Sequence, residues 1–138
     1  MFPWYEMNPK AHWEKIYSTK LTENLGWYEP HLQTSLTWIK ALRLAVDAPI
    51  IDVGGGASTL ADDLLDAGYS SITVLDISER ALSSVKARLG KKAELVTWLD
   101  GDITSADLPL YCYELWHDRA VFHFLTELEQ QRKYRDNL

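Results

Sequence analysis

The apolar positions of the chain follow two rhythms that divide it near Pro49. Ahead of that point Leu32, Leu36, Ile39, Leu42 and Val46 recur at spacings of four, three, three and four, the stripe of an amphipathic helix. Pro30 suits the first position of such a helix. Asp47-Ala48-Pro49 closes it, because the residue before a proline is pushed out of the helical region. A shorter helix is predicted over Ala11–Thr19, with Trp13 and Tyr17 four apart on one face. Leu25-Gly26-Trp27-Tyr28 reads as a turn between the two, and residues 2–7 as an irregular arm.

Beyond Pro49, short apolar runs alternate with helical stretches. Ile50–Val53, Ile72–Leu75, Glu94–Leu99 and Tyr113–His117 predict strands. Ser58–Ala67 predicts a helix stopped by Gly68. Ser78 caps the next helix, with Ala81, Leu82, Val85 and Leu89 facing inward and Gly90 as its stop. Thr126-Glu127-Leu128-Glu129 has the form of a capping box that opens a last helix. Strands and helices in this alternation predict the α/β class, a parallel sheet covered by helices.

A length of 138 residues is that of a single domain. Within it, a helical cap over residues 1–48 and a core over 49–138 are expected. The net charge of −6 gives no general electrostatic footprint for a phosphate backbone, so no nucleic-acid partner is expected. No apolar run approaches the ~18 residues of a membrane span, and the N-terminus has no signal-peptide pattern. Cys112 is the lone cysteine, and no Cys/His spacing suits structural zinc. A reducing, cytoplasmic setting is the expectation.

The strongest chemical signal is Asp52-Val53-Gly54-Gly55-Gly56-Ala57-Ser58, after the first strand and before a helix. Glycines there permit a tight turn and let the backbone approach a ligand without a Cβ in the way. The helix beyond offers free N–H groups to an anion. Asp76 ends the second strand twenty residues after Gly56, where an acidic side chain accepts from both ribose hydroxyls of an adenosine. A structural glycine turn and a helix-capping aspartate are the competing explanation for these residues. The dinucleotide fingerprint asks for a third glycine where this chain has Thr59, and no Lys-Ser/Thr pair follows the glycines as in a P-loop.

Asp52-Val53-Gly54-Gly55-Gly56 resembles motif I of the class I S-adenosylmethionine-dependent methyltransferases. Asp76-Ile77 resembles the acidic loop after their second strand, and Gly101-Asp102-Ile103 the loop after their third. The run from Tyr113 to Leu125, YELWHDRAVFHFL, resembles their fourth-strand motif. The resemblance implies a Rossmann-like sheet in the order 3-2-1-4, S-adenosylmethionine as cofactor and S-adenosylhomocysteine as product. It implies that Asp52, Gly54, Gly55 and Gly56 form the first cofactor loop, and that Asp76 and Ile77 hold the ribose side. Asp102, in the loop opened by Gly101, would meet the adenine amino group, the Ile103 N–H a ring nitrogen, and Asp118 the methionine part.

Trp13-Glu14-Lys15-Ile16-Tyr17 and Gly26-Trp27-Tyr28 resemble the opening of small methyltransferases related to the citrate synthase lysine methyltransferase. There the leading helix folds over the cofactor, which makes Trp13 and Tyr17 candidate contacts for its carboxylate. Ordinary aromatic packing is the competing reading. The implied function is methyl transfer to a small-molecule or protein acceptor. An NAD-dependent oxidoreductase and a non-catalytic nucleoside-binding fragment are the alternatives.

Weaker candidates have plainer readings. His117, Asp118, Arg119 and His123 form a polar cluster that lacks metal-ligand spacing and suits a cofactor rim. Asp62, Asp63 and Asp66 read as a solvated helix face, and Cys112 as a small buried filler.

Family members have seven strands in the order 3-2-1-4-5-7-6, whereas the predicted elements here stop after the helix that follows the fourth. A chain cut short of its fifth strand is the expectation, with the fourth strand an open, apolar edge. Such an edge predicts a homodimer or larger species joined through the fourth strand or the helix from Thr126. Light scattering should show that species, and a well-behaved 15.8 kDa particle would overturn the expectation.

Overall fold

The computed structural model describes residues 8–19, 31–56, 58–119 and 121–138, with the backbone alone at 19 and 123. The arm at 2–7, the turn at 25–28, Pro30, Ala57 and Ala120 lie outside the described residues, as does the side chain of His123. Four strands, β1 (Ile50–Val53), β2 (Ile72–Asp76), β3 (Val96–Asp100) and β4 (Leu115–Asp118), make one sheet in the order β3-β2-β1-β4. Every pairing is parallel. Among the described residues five α-helices accompany it: α1 (Pro9–Thr19), α2 (Gln33–Ala41), α3 (Leu60–Asp66), α4 (Glu79–Leu89) and α5 (Leu128–Asp136).

Strand alternation sorts the core onto two faces. Ile50, Ile72 and Val74 pack with Leu36 and Ile39 of α2, Leu60 and Leu64 of α3, and Leu82 of α4. Ile51, Val53 and Leu75 pack on the opposite face with Ile103, Leu108 and Tyr134 of α5. β1 and β2 are buried along their whole length, as strands covered on both faces must be. Asp52, Asp76 and His117 continue the parity of the α2–α4 face, and their places late in parallel strands bring them toward one end of the sheet.

Local chemistry explains where the elements stop. Ser78 Oγ accepts from the Ala81 N–H at 3.1 Å and caps α4, and Gly90 ends that helix at φ 59°. α2 stops at Ala41, earlier than the apolar stripe predicts. The Leu42 N–H reaches back to both Trp38 O and Ile39 O, and Arg43 turns into the left-handed region at φ 52°. The chain leaves the helix axis before Leu42 and Val46 reach the sheet, and these two are 56% and 60% exposed. A 3-10 helix over Gly90–Leu95 delays β3 to Val96.

The capping box at Thr126 does not form. Glu127 is the N-cap residue of α5 without a side-chain cap, and Gln131 Nε2 instead donates to Leu125 O at 2.8 Å. Cys112 is exposed, on the segment leading into β4, rather than a filler. The acidic face of α3 is tied to its neighbours: Asp62 to Arg88 at 2.7 Å, Asp63 to His31 at 3.0 Å and Asp66 to Lys92 at 3.3 Å. Exposed pairs of this kind add little stability. Among the described residues no helix is long and apolar enough to cross a membrane.

Leu64 is fully buried where α3 meets the sheet. Leu64→Ala should lower the unfolding free energy by about 2–5 kcal/mol through lost transfer energy and the cavity left behind, measurable by urea denaturation.

Candidate ligand-binding site

A cavity of about 550 Å³ opens at the C-terminal ends of the strands. It lies where the strand order reverses beside β1, the place at which open α/β sheets take their ligands. Trp13, Tyr17, Asp52, Gly54, Gly55, Asp76, Ile77, Gly101, Asp102 and Ile103 all line it. Gly56 and Asp118, expected at the same site, do not.

The carboxylate of Asp118 accepts from the Val121 N–H at 2.7 Å and the Phe122 N–H at 3.2 Å, and from the Tyr134 hydroxyl. It therefore caps the turn after β4 and anchors α5. The Tyr134 hydroxyl in turn accepts from Trp116 Nε1 at 2.8 Å. Burial and the Asp118 carboxylate push the phenol well above its usual range, so it stays a donor. Gly56 acts on its neighbour: its N–H donates to Asp76 Oδ2 at 3.0 Å, while the Ser78 N–H holds Oδ1 at 2.8 Å.

The glycine loop is shaped by the protein itself. Gly54 has φ 74°, and a Cβ there would lie 2.0 Å from Val121 Cγ2. At Gly55 a Cβ would meet Asp52 Oδ2 at 2.1 Å, and at Gly56 it would meet Asp76 Cγ at 2.7 Å. Gly55 and Gly56 thus let the chain pass over two buried acids, and Gly54 lets it pass Val121. Asp102 makes an Asx turn, its Oδ1 accepting from the Thr104 N–H at 2.9 Å and the Thr104 hydroxyl at 2.7 Å.

α1 lies across the cavity and is latched by residues the sequence reading did not single out. Glu14 Oε1 accepts from Ser78 Oγ at 2.6 Å and from the Arg80 N–H at 3.3 Å, and Lys10 pairs with Asp100 at 3.2 Å. Burial works against the ionised Glu14, but the Ser78 hydroxyl, the Arg80 N–H and the cations Arg80 and Lys10 hold its carboxyl below the usual range. Trp13 stacks edge-on to Phe124 at 5.1 Å between ring centres and lies 6.2 Å from Tyr17. The other missed contact is at His117, whose Nδ1 lies 2.7 Å from Asp52 Oδ1. Strand parity was the available signal for that pair, since Asp52 and His117 are register partners. Among the described residues no group of three or more His, Cys, Asp or Glu side chains is placed to hold a metal ion.

Residues 50–136, more than half of the chain, match the model of a family described as a methyltransferase domain. The chain is 24% identical over 126 residues to the eEF1A lysine and N-terminal methyltransferase of Mus musculus, an alignment covering 91% of this chain and 18% of that protein. It is 24% identical over 115 residues to EEF1A lysine methyltransferase 2 of Homo sapiens, covering 69% of this chain and 49% of the relative. The chain thus spans under half the length of either. A solved structure described as the conversion of a disulfide bond into a thioacetal group during echinomycin biosynthesis superposes with a TM-score of 0.72. That match covers 94% of this chain and 54% of the other at 19% identity, a likeness of fold.

Charge at the cavity depends on pH. Burial raises the Asp76 carboxyl, the Ser78 and Gly56 N–H groups lower it, and the charges of Asp52 and Glu14 raise it again, leaving it at about 6 against an ordinary 3.8. Across pH 4–6 the folded chain therefore keeps a proton the unfolded chain has lost, and stability falls as pH rises through that window. Burial lowers His117, but its bond to Asp52 and the charges of Asp52 and Asp118 outweigh that and raise it above 6.5. Its contribution is complete below 6.5 and is lost as pH rises through the folded value. Asp76→Ala should flatten the dependence of unfolding free energy on pH between 4 and 6, whatever its absolute stability. Denaturation curves at several pH values measure this, and an unchanged slope would show that Asp76 does not titrate there.

Proposed function

Since the chain belongs to the class I S-adenosylmethionine-dependent methyltransferase family, we propose that its cavity takes S-adenosylmethionine and serves methyl transfer to a small-molecule or protein acceptor. The observation that carries this reading is the placing of Asp76. Its carboxylate stands at the cavity at the end of β2, held from behind by the Gly56 and Ser78 N–H groups. Paired ribose hydroxyls are the donors such an acid suits.

The remaining residues fit the same group. The volume lies within the ~300–1,000 Å³ common for small-molecule sites. Asp52 Oδ2 and Gln130 Oε1 are buried side-chain oxygens without a partner among the described residues, and both residues line the cavity. Buried acceptors of this kind call for a donor, and the ammonium of an amino-acid arm supplies one to Asp52. Asp102 and the backbone at Ile103 then face the adenine, and Trp13 and Tyr17 lie over the methionine end. When bound, the cofactor supplies a methyl group on a sulfonium, an electrophile that needs no oxidant or metal. The chain's part is to orient donor against acceptor and to exclude water, with Trp13, Phe124 and Leu125 as apolar cover.

Calorimetry with S-adenosylhomocysteine and with NAD separates this reading from the oxidoreductase alternative, and a methyl-transfer assay separates enzyme from nucleoside binder. Asp76→Ala should weaken S-adenosylhomocysteine by about tenfold or more, since charge-assisted hydrogen bonds contribute ~1.5–3 kcal/mol each. Because the hydroxyls favour the ionised acid, wild-type affinity should also rise as pH passes about 6. A folded Asp76→Ala protein with unchanged affinity would refute the ribose assignment.

A further inference from the structure

His117 sits in β4 directly across from Asp52 in β1. Its Nδ1 is 2.7 Å from Asp52 Oδ1, and its Nε2 is 2.9 Å from the hydroxyl of Ser35 on α2. A carboxylate only accepts, so Nδ1 carries the proton of the first contact. Asp52 itself is 2% exposed. Its second oxygen, Oδ2, has no partner among the described residues and lies against Gly55 in the cavity wall. One oxygen of the acid is thus clamped by the ring, while the other is a buried acceptor with no donor among the described residues.

The connectivity Ser35–His117–Asp52 is also that of a hydrolase triad. Ser35 does not line the cavity, so its hydroxyl has no substrate to attack there, and the chain of bonds runs instead from the helical cap through β4 to the acid. We propose that His117 is a positioning residue, which sets the Asp52 carboxylate so that Oδ2 receives the ammonium of the cofactor's amino-acid arm, with Ser35 fixing the ring. The proposal rests on the reading of the cavity as an S-adenosylmethionine site. Loss of the ring leaves a buried carboxylate free to turn or to recruit water, and only ligands that carry the ammonium should register that change.

Two probes distinguish the parts. S-adenosylhomocysteine carries the amino-acid arm, and 5′-methylthioadenosine lacks it. By calorimetry, His117→Ala should weaken S-adenosylhomocysteine about tenfold while 5′-methylthioadenosine changes by less than about twofold. His117→Asn, which restores an N–H donor near the position of Nδ1, should recover S-adenosylhomocysteine affinity to within about threefold of wild type. Ser35→Ala keeps the ring and should give a smaller loss, about threefold, again confined to S-adenosylhomocysteine. It carries the test should His117→Ala fail to fold. Equal losses for both probes, or no loss for either, would overturn the positioning role, as would a folded His117→Asn protein without recovery. Wild-type protein that binds neither probe would overturn the cofactor reading beneath it, an outcome distinct from all of these.

Discussion

β1 is hydrogen-bonded along both edges, to β2 on one side and β4 on the other, and both partners run parallel to it. That pairing puts every strand's C-terminal end on one side of the sheet and sets the register by which Asp52 faces His117 and Val53 faces both Leu75 and Asp118. A shift of one residue in β4 would turn His117 to the opposite face and Trp116 toward Asp52. The cavity, the hydrogen-bonded acid and the anchoring of α5 through Trp116 and Tyr134 would then be lost together. Four buried residues, Ile50 to Val53, therefore carry much more than their own packing.

The glycine loop is a consequence of that register. A strand that buries an aspartate at its third position must pass the chain over the carboxylate as it leaves, and β2 presents a second buried acid alongside. Gly55 clears the first and Gly56 the second, while Gly54 makes the left-handed turn beneath Val121. Burying two acids this close is costly. Asp52 is met by the His117 ring, and Asp76 by two backbone N–H groups that cannot move without unwinding the loop or the first turn of α4.

Much of this was legible in the chain. The strands, their parallel pairing, the glycine loop and the Ser78 cap follow from local rules that agree with the final fold, and the strand order from the family resemblance. Ten of the twelve residues expected around a cofactor line one cavity. The departures arise both from local turns and from contacts distant in sequence. The stripe through Leu42 and Val46 continues a helical period that the backbone abandons at Arg43. Asp118 looked like a rim acid from its place at the strand end, yet two N–H groups of the following turn and the Tyr134 hydroxyl claim its carboxylate. Glu14 had no local signature, because its partners Ser78 and Arg80 lie more than sixty residues away.

The two carboxylates at the cavity are prepared in different ways. Asp76 is bonded through both oxygens by backbone N–H groups and is raised by burial, so the cost of its ionised form is already borne by the folded chain. Asp52 has one oxygen bonded to the ring and the other buried without a partner among the described residues, an acceptor that no other group claims there. In both cases the orientation is fixed by the fold itself, Asp76 by backbone N–H groups and Asp52 by the ring of its register partner His117. A polar frame fixed in advance loses little freedom when any ligand binds, which is how buried, destabilising charge can be converted into affinity. The same logic explains why α1 is latched at Ser78 and Asp100, next to the loops after β2 and β3 that line the cavity, rather than at the far face of the sheet. The cover is tied to the elements whose placement it protects.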